Sequence, residues 1–359
     1  PRGAMSGLRT VLCHLGAIAR QEAEAVDGAS SGISSTIQAT AKPARLARVL
    51  SHTEGPVWAV QWRPGEPAEG TFGDVAVAFG SGRIDVYRVP LLPRAVAAES
   101  EIVTESACTL RLARAEPVIS HTTLEQVAVP AMLRWDRTGE RLLVGYQDGA
   151  MAVWTAPRSE DAALELVYLN PASKQPMRCV EWLDEESLGE DGVDDLVLGV
   201  DYSGDAVVLD LRDAECAPPL ARTAVSSVNA VCSALLADGT LAVGSDDGCA
   251  RFIFLPKLLG NEGSKTRKLK VGGEGEAVWG ACAIRPAGAD AAACAFCTHG
   301  GTVVVSDVES MIAHRRRPDE KFEIEARRAW SADVHGGGGA LVLGGKRAAC
   351  GINALLGDE

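Results

Sequence analysis

Apolar and polar positions alternate in short runs along most of the chain, and the apolar runs come in pairs. At 141–157, in RLLVGYQDGAMAVWTAP, two apolar runs flank a tight turn that ends in glycine. Short alternating runs bounded by turn residues predict β-strands, and glycine supplies the positive φ that a two-residue hairpin turn requires. The pattern predicts six β-hairpins, the last weaker than the others, at 74–90, 141–157, 195–211, 240–256, 291–308 and 340–355.

A third apolar run precedes each hairpin. In three units this run carries a tryptophan in register, at Trp62, Trp135 and Trp182, and the other three align more loosely. The glycines that end the hairpin turns are Gly82, Gly149, Gly204, Gly248, Gly301 and Gly345. Three strands per unit plus a linking outer strand, repeated at about 44 residues, predict an all-β fold, a β-propeller of the WD40 type.

The chain length bears on the number of blades. The 359 residues can supply seven repeats of about 44 residues, and propellers of this type usually close with seven blades. We therefore expect residues 46–359 to form the propeller, with seven blades although six are legible. The N-terminal segment, 1–45, would help to close the ring, but its Ser/Gly/Ala-rich part at 26–44 predicts a flexible loop. A six-bladed or incomplete ring therefore remains open.

Composition narrows the class of protein. The apolar fraction of 47% and the charged fraction of 23% are those of an ordinary globular chain. The net charge of −13 gives no overall field that attracts nucleic acid, and no apolar run approaches the roughly 18 residues that span a bilayer. Ten cysteines, mostly isolated, favour a reducing, intracellular compartment.

Motifs that suggest chemistry are incomplete. Cys294-Ala-Phe-Cys297 looks like half a zinc site, but positions three apart on a strand point to opposite faces and no second pair exists, so we interpret both as buried structural thiols. Gly28–Gly32 matches GxSxG without the flanking strand and helix, and Gly345-Lys346 lacks the spacing of a phosphate loop. We expect neither an enzyme nor a site for a metal, a cofactor or a small-molecule substrate.

Two kinds of residue could bind partners. Alignment of the first strands places one set at a single rim of the central channel: Trp58, Ala131, Arg178, Asn229, Trp279 and Trp330. Trp and Arg dominate binding hot spots, so this rim is a candidate docking face; the alternative is that the Trp rings pack between blades. Two basic stretches predict solvated loops between blades, or else contacts with DNA or an acidic partner: Lys265, Arg267 and Lys268, and Arg315, Arg316 and Arg317.

Several segments, in order, carry a family resemblance: PVWAVQWRP, VAVAFGSGRIDVYRVPLLPR, PAMLRWDRTGERLLVGYQDG, VVLDLRDAECAPP and AVWGACAIRP. From about Leu46 to Val308 the chain resembles the WD40 propeller subunit of the RNA polymerase III transcription factor TFIIIC, the beta-subunit or tau-ninety-one-like family. No unit carries a literal Trp-Asp at its third strand. We therefore expect most units to rely on apolar packing rather than on the complete polar network of WD40 repeats.

The resemblance implies a non-catalytic scaffold in the nucleus. Its implied partners are the other TFIIIC subunits, namely a second propeller subunit and the large B-box-binding subunit, with DNA reached indirectly through the complex. A different class of function is a general WD40 adaptor, such as a ubiquitin-ligase substrate receptor or a trafficking scaffold. We expect no contact with a membrane in either case.

Overall fold

The computed structural model describes part of the chain. Side chains are described over residues 57–64, 74–86, 129–155, 164–183, 195–213, 217–236, 238–257, 266–273, 275–283 and 294–299. For the remaining residues of the strands and the helix given below, only the backbone is described. The predicted loop at 26–44, the Gly28–Gly32 motif, Gly301 and Lys346 lie outside the described residues.

Five sheets have the same construction, four antiparallel strands in chain order from the inside of the ring outward. The first contains β3 (Val57–Trp62), β4 (Phe72–Phe79), β5 (Arg83–Pro90) and β6 (Ile119–Thr122). The second contains β7 (Pro130–Trp135), β8 (Arg141–Tyr146), β9 (Met151–Thr155) and β10 (Glu165–Asn170). The third contains β11 (Met177–Leu183), β12 (Leu196–Asp201), β13 (Asp205–Asp210) and β14 (Ala221–Ala224). We number these sheets as blades in chain order.

The fourth and fifth blades continue the series. Blade 4 contains β15 (Ala230–Leu235), β16 (Thr240–Ser245), β17 (Cys249–Phe254) and β18 (Arg267–Lys270), with the short helix α1 (Leu255–Leu259) after β17. Blade 5 contains β19 (Val278–Ile284), β20 (Ala293–Thr298), β21 (Thr302–Asp307) and β22 (Glu320–Glu323). Among the described residues, no helix has the length and apolar character needed to cross a bilayer.

Both ends of the chain build the sixth sheet. Its inner strands are β23 (Ala329–Val334), β24 (Ala340–Gly345) and β25 (Ala348–Asn353), and its outer strands are β1 (Leu8–His14) and β2 (Arg45–His52). Strand β1 pairs in parallel with β25, with Arg9 opposite Ala348, and antiparallel with β2.

The sheets form a ring, which confirms the predicted β-propeller. Each innermost strand contacts the innermost strand of the next blade, from β3 through β7, β11, β15 and β19 to β23, and β23 contacts β3. The expected seven blades are corrected to six in the described part of the chain. The physical reason is that β1 and β2, the strands available for a seventh blade, extend the sixth sheet instead.

The predicted hairpins and first strands are all present in these sheets. Strands β7 and β16 are buried at every position, because a blade between two neighbours has no solvent-facing side. The predicted turn glycines at 82, 149, 204 and 248 have φ of 90°, 91°, 92° and 75°. Gly345 is the last residue of β24.

Candidate functional site

The same irregularity recurs at the start of each innermost strand. Pairing with the second strand skips one residue per blade, which makes a β-bulge. The skipped residues are Trp58, Ala131, Arg178, Val231, Trp279 and Trp330. A bulge bends its strand and turns the extra side chain out of the regular alternation. The sequence alignment therefore placed five of these six positions correctly.

Asn229 is the exception, and its predicted place is wrong by two residues. It precedes β15, and Val231, which is buried, occupies the bulge. The alignment failed here because 226–235 contains no tryptophan to fix its register. Asn229 still lies nearby, because its carbonyl accepts a hydrogen bond from Asp246 N at 3.3 Å and its Nδ2 donates to Asp246 Oδ2 at 2.6 Å.

The hairpin turns lie at the same end of the blades as the bulges. In blades 2 to 5, the first turn residue of the hairpin donates its N–H to the carbonyl of the residue just before the inner strand. These bonds are Gln147 to Val129 (2.9 Å), Tyr202 to Pro176 (2.8 Å), Asp246 to Asn229 (3.3 Å) and His299 to Ala277 (2.9 Å). We call this end, with its bulged residues and first turn residues, the bulge rim.

Two aromatic contacts lie on the bulge rim. The guanidinium of Arg178 stacks over the Trp58 ring, 4.7 Å from its centroid. Because blade 2 separates their two blades, this cation–π contact spans the mouth of the channel. In blade 5 the rings of Trp279 and His299 are 5.4 Å apart. Trp58, Arg178 and Trp279 are each only partly buried, and the side chain of Trp330 lies outside the described residues.

Arg178 has no anionic partner among the described residues. Its Nε is buried without a hydrogen-bond acceptor, and burial lowers the pKa of the guanidinium below its usual value. Two further buried polar atoms of this rim region have no hydrogen-bond partner, Gln147 Nε2 in blade 2 and Ser245 Oγ at the end of β16 in blade 4. This end of blades 2 to 4 therefore contains unused hydrogen-bonding groups.

The channel interior below the rim is occupied by a buried ion pair. Arg134 Nε contacts Glu181 Oε2 at 3.0 Å, and Ser233 Oγ donates to Glu181 Oε1 at 2.5 Å. Arg134 Nη2 donates to the Ser233 carbonyl, which links blade 2 past blade 3 to blade 4. The three residues are at most 7% exposed. Sequence analysis missed them, although a charge inside the apolar runs PAMLRW and MRCVEWL was a usable signal.

Two of the three aligned tryptophans, Trp135 and Trp182, make contacts between neighbouring blades. Arg63 of blade 1 stacks on Trp135 of blade 2 at 4.9 Å, and Arg141 of blade 2 stacks on Trp182 of blade 3 at 4.6 Å. Trp182 Nε1 also donates to the Arg134 carbonyl at 3.0 Å. These contacts join neighbouring blades away from the bulge rim.

The interpretation of Cys294 and Cys297 as buried thiols is confirmed. Both are fully buried and unpaired, and burial raises the pKa of Cys297 to about 12. Cys179 is also buried, with its pKa raised to about 12 by the same desolvation. Within the described ranges, no group of three or more His, Cys, Asp or Glu residues could hold a metal ion.

We expect the buried thiols to resist alkylation in the folded protein. The thiolate is the reactive form, and burial both suppresses it and blocks the reagent. Iodoacetamide at neutral pH should leave Cys179, Cys294 and Cys297 unmodified and should modify all three in guanidinium, as read by mass spectrometry of their peptides. Modification of any of them in the native protein would contradict this expectation.

The first basic stretch is partly a strand rather than a loop. Arg267 and Lys268 belong to β18, the outer strand of blade 4, because the segment pairs along β17. Lys268 Nζ contacts Asp247 Oδ2 at 2.8 Å, and Arg251 contacts the same oxygen at 2.8 Å. Lys265 and Arg315, Arg316 and Arg317 lie outside the described residues.

Asp247 should make stability depend on acid pH. Hydrogen bonds from Arg251, and then from Lys268, hold the pKa of Asp247 well below its usual range. A depressed folded-state pKa stabilises the fold above the unfolded value of about 4, and this contribution is lost as pH falls below it. We expect Asp247→Asn to lower the melting temperature at neutral pH, with the difference from the unsubstituted protein shrinking between about pH 5 and 2.

Thermal melts of both proteins across this pH range test the expectation. Asp213→Asn, at an exposed position in blade 3, is the control for the change in net charge. A difference that stays constant with pH would show that the Asp247 carboxylate does not contribute as a charge.

Comparison with protein families and with curated proteins found no match. No model of a protein family matches the chain, and no curated protein sequence matches it.

Proposed function

We propose that this chain is a non-catalytic scaffold subunit of TFIIIC that acts in the nucleus through protein–protein contacts. The observation that carries the proposal is the bulge rim, where Trp58, Arg178 and Trp279 recur at one position of a propeller. Trp and Arg are the residue types most enriched in binding hot spots. The ordered resemblance from about Leu46 to Val308 gives the proposal its particular complex.

The proposed partners are the second propeller subunit and the large B-box-binding subunit of TFIIIC. Charge favours protein neighbours over direct DNA binding, because the chain carries −13 and DNA affinity depends on neutralising phosphates. In the described part of the basic stretch, Lys268 is engaged by Asp247. DNA is then reached through the assembled complex.

Purification of a tagged chain from nuclei of its native cells tests the proposal. We expect other TFIIIC subunits in the eluate and tRNA-type genes in cross-linked chromatin. A triple variant with Ala at Trp58, Arg178 and Trp279 should lose these partners at least tenfold. Arg212→Ala is the matched control for Arg178. Arg212 is also in blade 3, where it follows β13, is exposed and pairs with Asp210.

The outcomes separate the proposal from its alternative. Recovery of a cullin or a coat complex would instead identify a general WD40 adaptor of a ubiquitin ligase or a trafficking system. Unchanged partner recovery by a triple variant with an unaltered melting temperature would overturn the role of the bulge rim. Exclusion of the chain from nuclei would overturn the TFIIIC assignment.

A further inference from the structure

Arg178 is held in a state that favours binding an anion. The side chain of Arg178 is partly withdrawn from water, which disfavours its charge unless a counter-charge or hydrogen bonds compensate it. The stack on Trp58 offsets part of this cost. The buried Nε has no acceptor, and none of the described acidic residues forms an ion pair with the guanidinium. The binding of an acceptor that carries negative charge would remove the deficit.

The neighbouring carboxylates are committed elsewhere. Asp201 accepts hydrogen bonds from Ser173 and Ser203, both at 2.6 Å, which fixes its own turn. Asp246 accepts from Asn229 at 2.6 Å. Asp247 is bound by Arg251 and Lys268. These acidic residues of the bulge rim are therefore bound by other side chains, which lie in the turns and in the outer part of blade 4, and not by Arg178.

A second donor lies on the adjacent blade. The Nε2 amide of Gln147 is buried and has no acceptor. The backbones beside the two donors are in close contact, because a Cβ added to Gly145 would lie 2.6 Å from the Met177 carbonyl oxygen. Arg178 directly follows Met177, and Gln147 lies two residues after Gly145. Unused N–H donors on neighbouring blades match the several acceptor positions of a carboxylate.

The surroundings restrict what can enter. The buried ion pair of Arg134 and Glu181 lies on the inner strands of blades 2 and 3, and Arg134 also bonds to blade 4. Trp58 provides an aromatic wall. A cation beside an aromatic ring at the end of the blades suits the side chain of an extended peptide laid across the rim.

We propose that Arg178, with Gln147, forms a carboxylate-binding site that captures an Asp or Glu side chain of a partner's extended segment; the inference rests on the proposed scaffold function. One guanidinium matches one singly charged carboxylate, whereas phosphate groups are typically bound by Arg clusters. The net charge of −13 also disfavours highly charged polyanions. The acidic segment places its carboxylate on Arg178 and its neighbouring apolar side chains against Trp58.

Peptide selection on the immobilised full chain tests the site. A random library of displayed linear peptides is selected, and the best binder is synthesised with its acidic residue unchanged, replaced by the matching amide, or replaced by phosphoserine. Affinities are measured by fluorescence anisotropy against the unsubstituted chain, Arg178→Met, Gln147→Leu and the control Arg212→Met. Met preserves much of the packing on Trp58 while removing the charge.

We expect the binders to share an Asp or Glu. Its replacement by the amide, and Arg178→Met, should each weaken binding at least tenfold, and the two changes combined should cost little more than either alone. Gln147→Leu should weaken binding several-fold, and Arg212→Met should leave it unchanged. Arg178→Met should not lower the melting temperature, because it removes a partly buried cation whose Nε has no acceptor.

Other results would overturn the site. These are the absence of any binder, binders without acidic residues, tighter binding of the phosphoserine peptide, or affinity that Arg178→Met and Gln147→Leu leave intact. If Arg178→Met unfolds the chain, Arg178 is structural and the proposal fails. A chain that binds acidic peptides through Arg178 but purifies without TFIIIC would instead overturn only the proposed complex.

Discussion

Replacing Glu181 with Ala should lower the free energy of unfolding by about 3 to 5 kcal/mol. Glu181 accepts a hydrogen bond from Arg134 Nε at 3.0 Å and another from Ser233 at 2.5 Å, in the interior of the ring. Its removal takes away the carboxylate that Arg134 Nε contacts and leaves the guanidinium charge buried beside carbonyl acceptors. The penalty comes from that stranded charge rather than from the intrinsic strength of the pair.

Unfolding in guanidinium chloride, followed by tryptophan fluorescence, measures the change in the free energy of unfolding. The informative control is the double variant with Leu at both Arg134 and Glu181, which should lie within about 1 kcal/mol of the unsubstituted protein because no unpaired charge remains. A double variant as unstable as Glu181→Ala would show that the pair has a packing role that Leu cannot replace.

Gly149→Ala should lower the free energy of unfolding by about 3 kcal/mol. Gly149 ends the blade 2 hairpin turn with φ of 91°. A Cβ there would lie 2.7 Å from the Gln175 carbonyl oxygen and would also contact the backbone of Ser173. The substitution therefore combines left-handed strain with a collision against the segment that leads into blade 3, and backbone on both sides cannot move away cheaply.

Gly275→Ala separates these two contributions. Gly275 has a similar φ of 75°, but a Cβ there would meet nothing within 4 Å. Its cost should be that of the conformation alone, about 1 to 2 kcal/mol. If the two variants lose the same free energy of unfolding in chemical denaturation, then the backbone around Gly149 moves away from the added Cβ without cost.

The sequence predicted the hairpins and inner strands because their signals are local. An apolar run, a turn glycine and a second run specify a hairpin within a few residues, as at Gly204. The tryptophan-anchored alignments also placed Trp58, Ala131 and Arg178 on one rim, although blade 1, which contains Trp58, is not a neighbour of blade 3, which contains Arg178. A single register position was therefore enough to predict a site assembled from distant parts of the chain.

The failures involve information that is not local. The placement of Asn229 failed because Val231 is an ordinary apolar residue without an anchoring aromatic neighbour. Strand β18 was read as a loop, since an exposed outer strand such as RKLK has no apolar face. The Arg134–Glu181 pair depends on which residues of neighbouring inner strands meet inside the ring, and the blade number depends on where β1 pairs.

The pairing of Leu8–His14 with Ala348–Asn353 also has a consequence for synthesis. The sixth blade takes β1 and β25 from positions more than 330 residues apart in the sequence, so its assembly must wait until β25 has been synthesised. At about 5 to 20 residues per second, β1 is synthesised tens of seconds before its partner β25. During that interval the nascent chain presents open strand edges, which are templates for pairing with other chains. The β1–β25 pairing therefore completes the ring only after the strands of the other five blades have been synthesised.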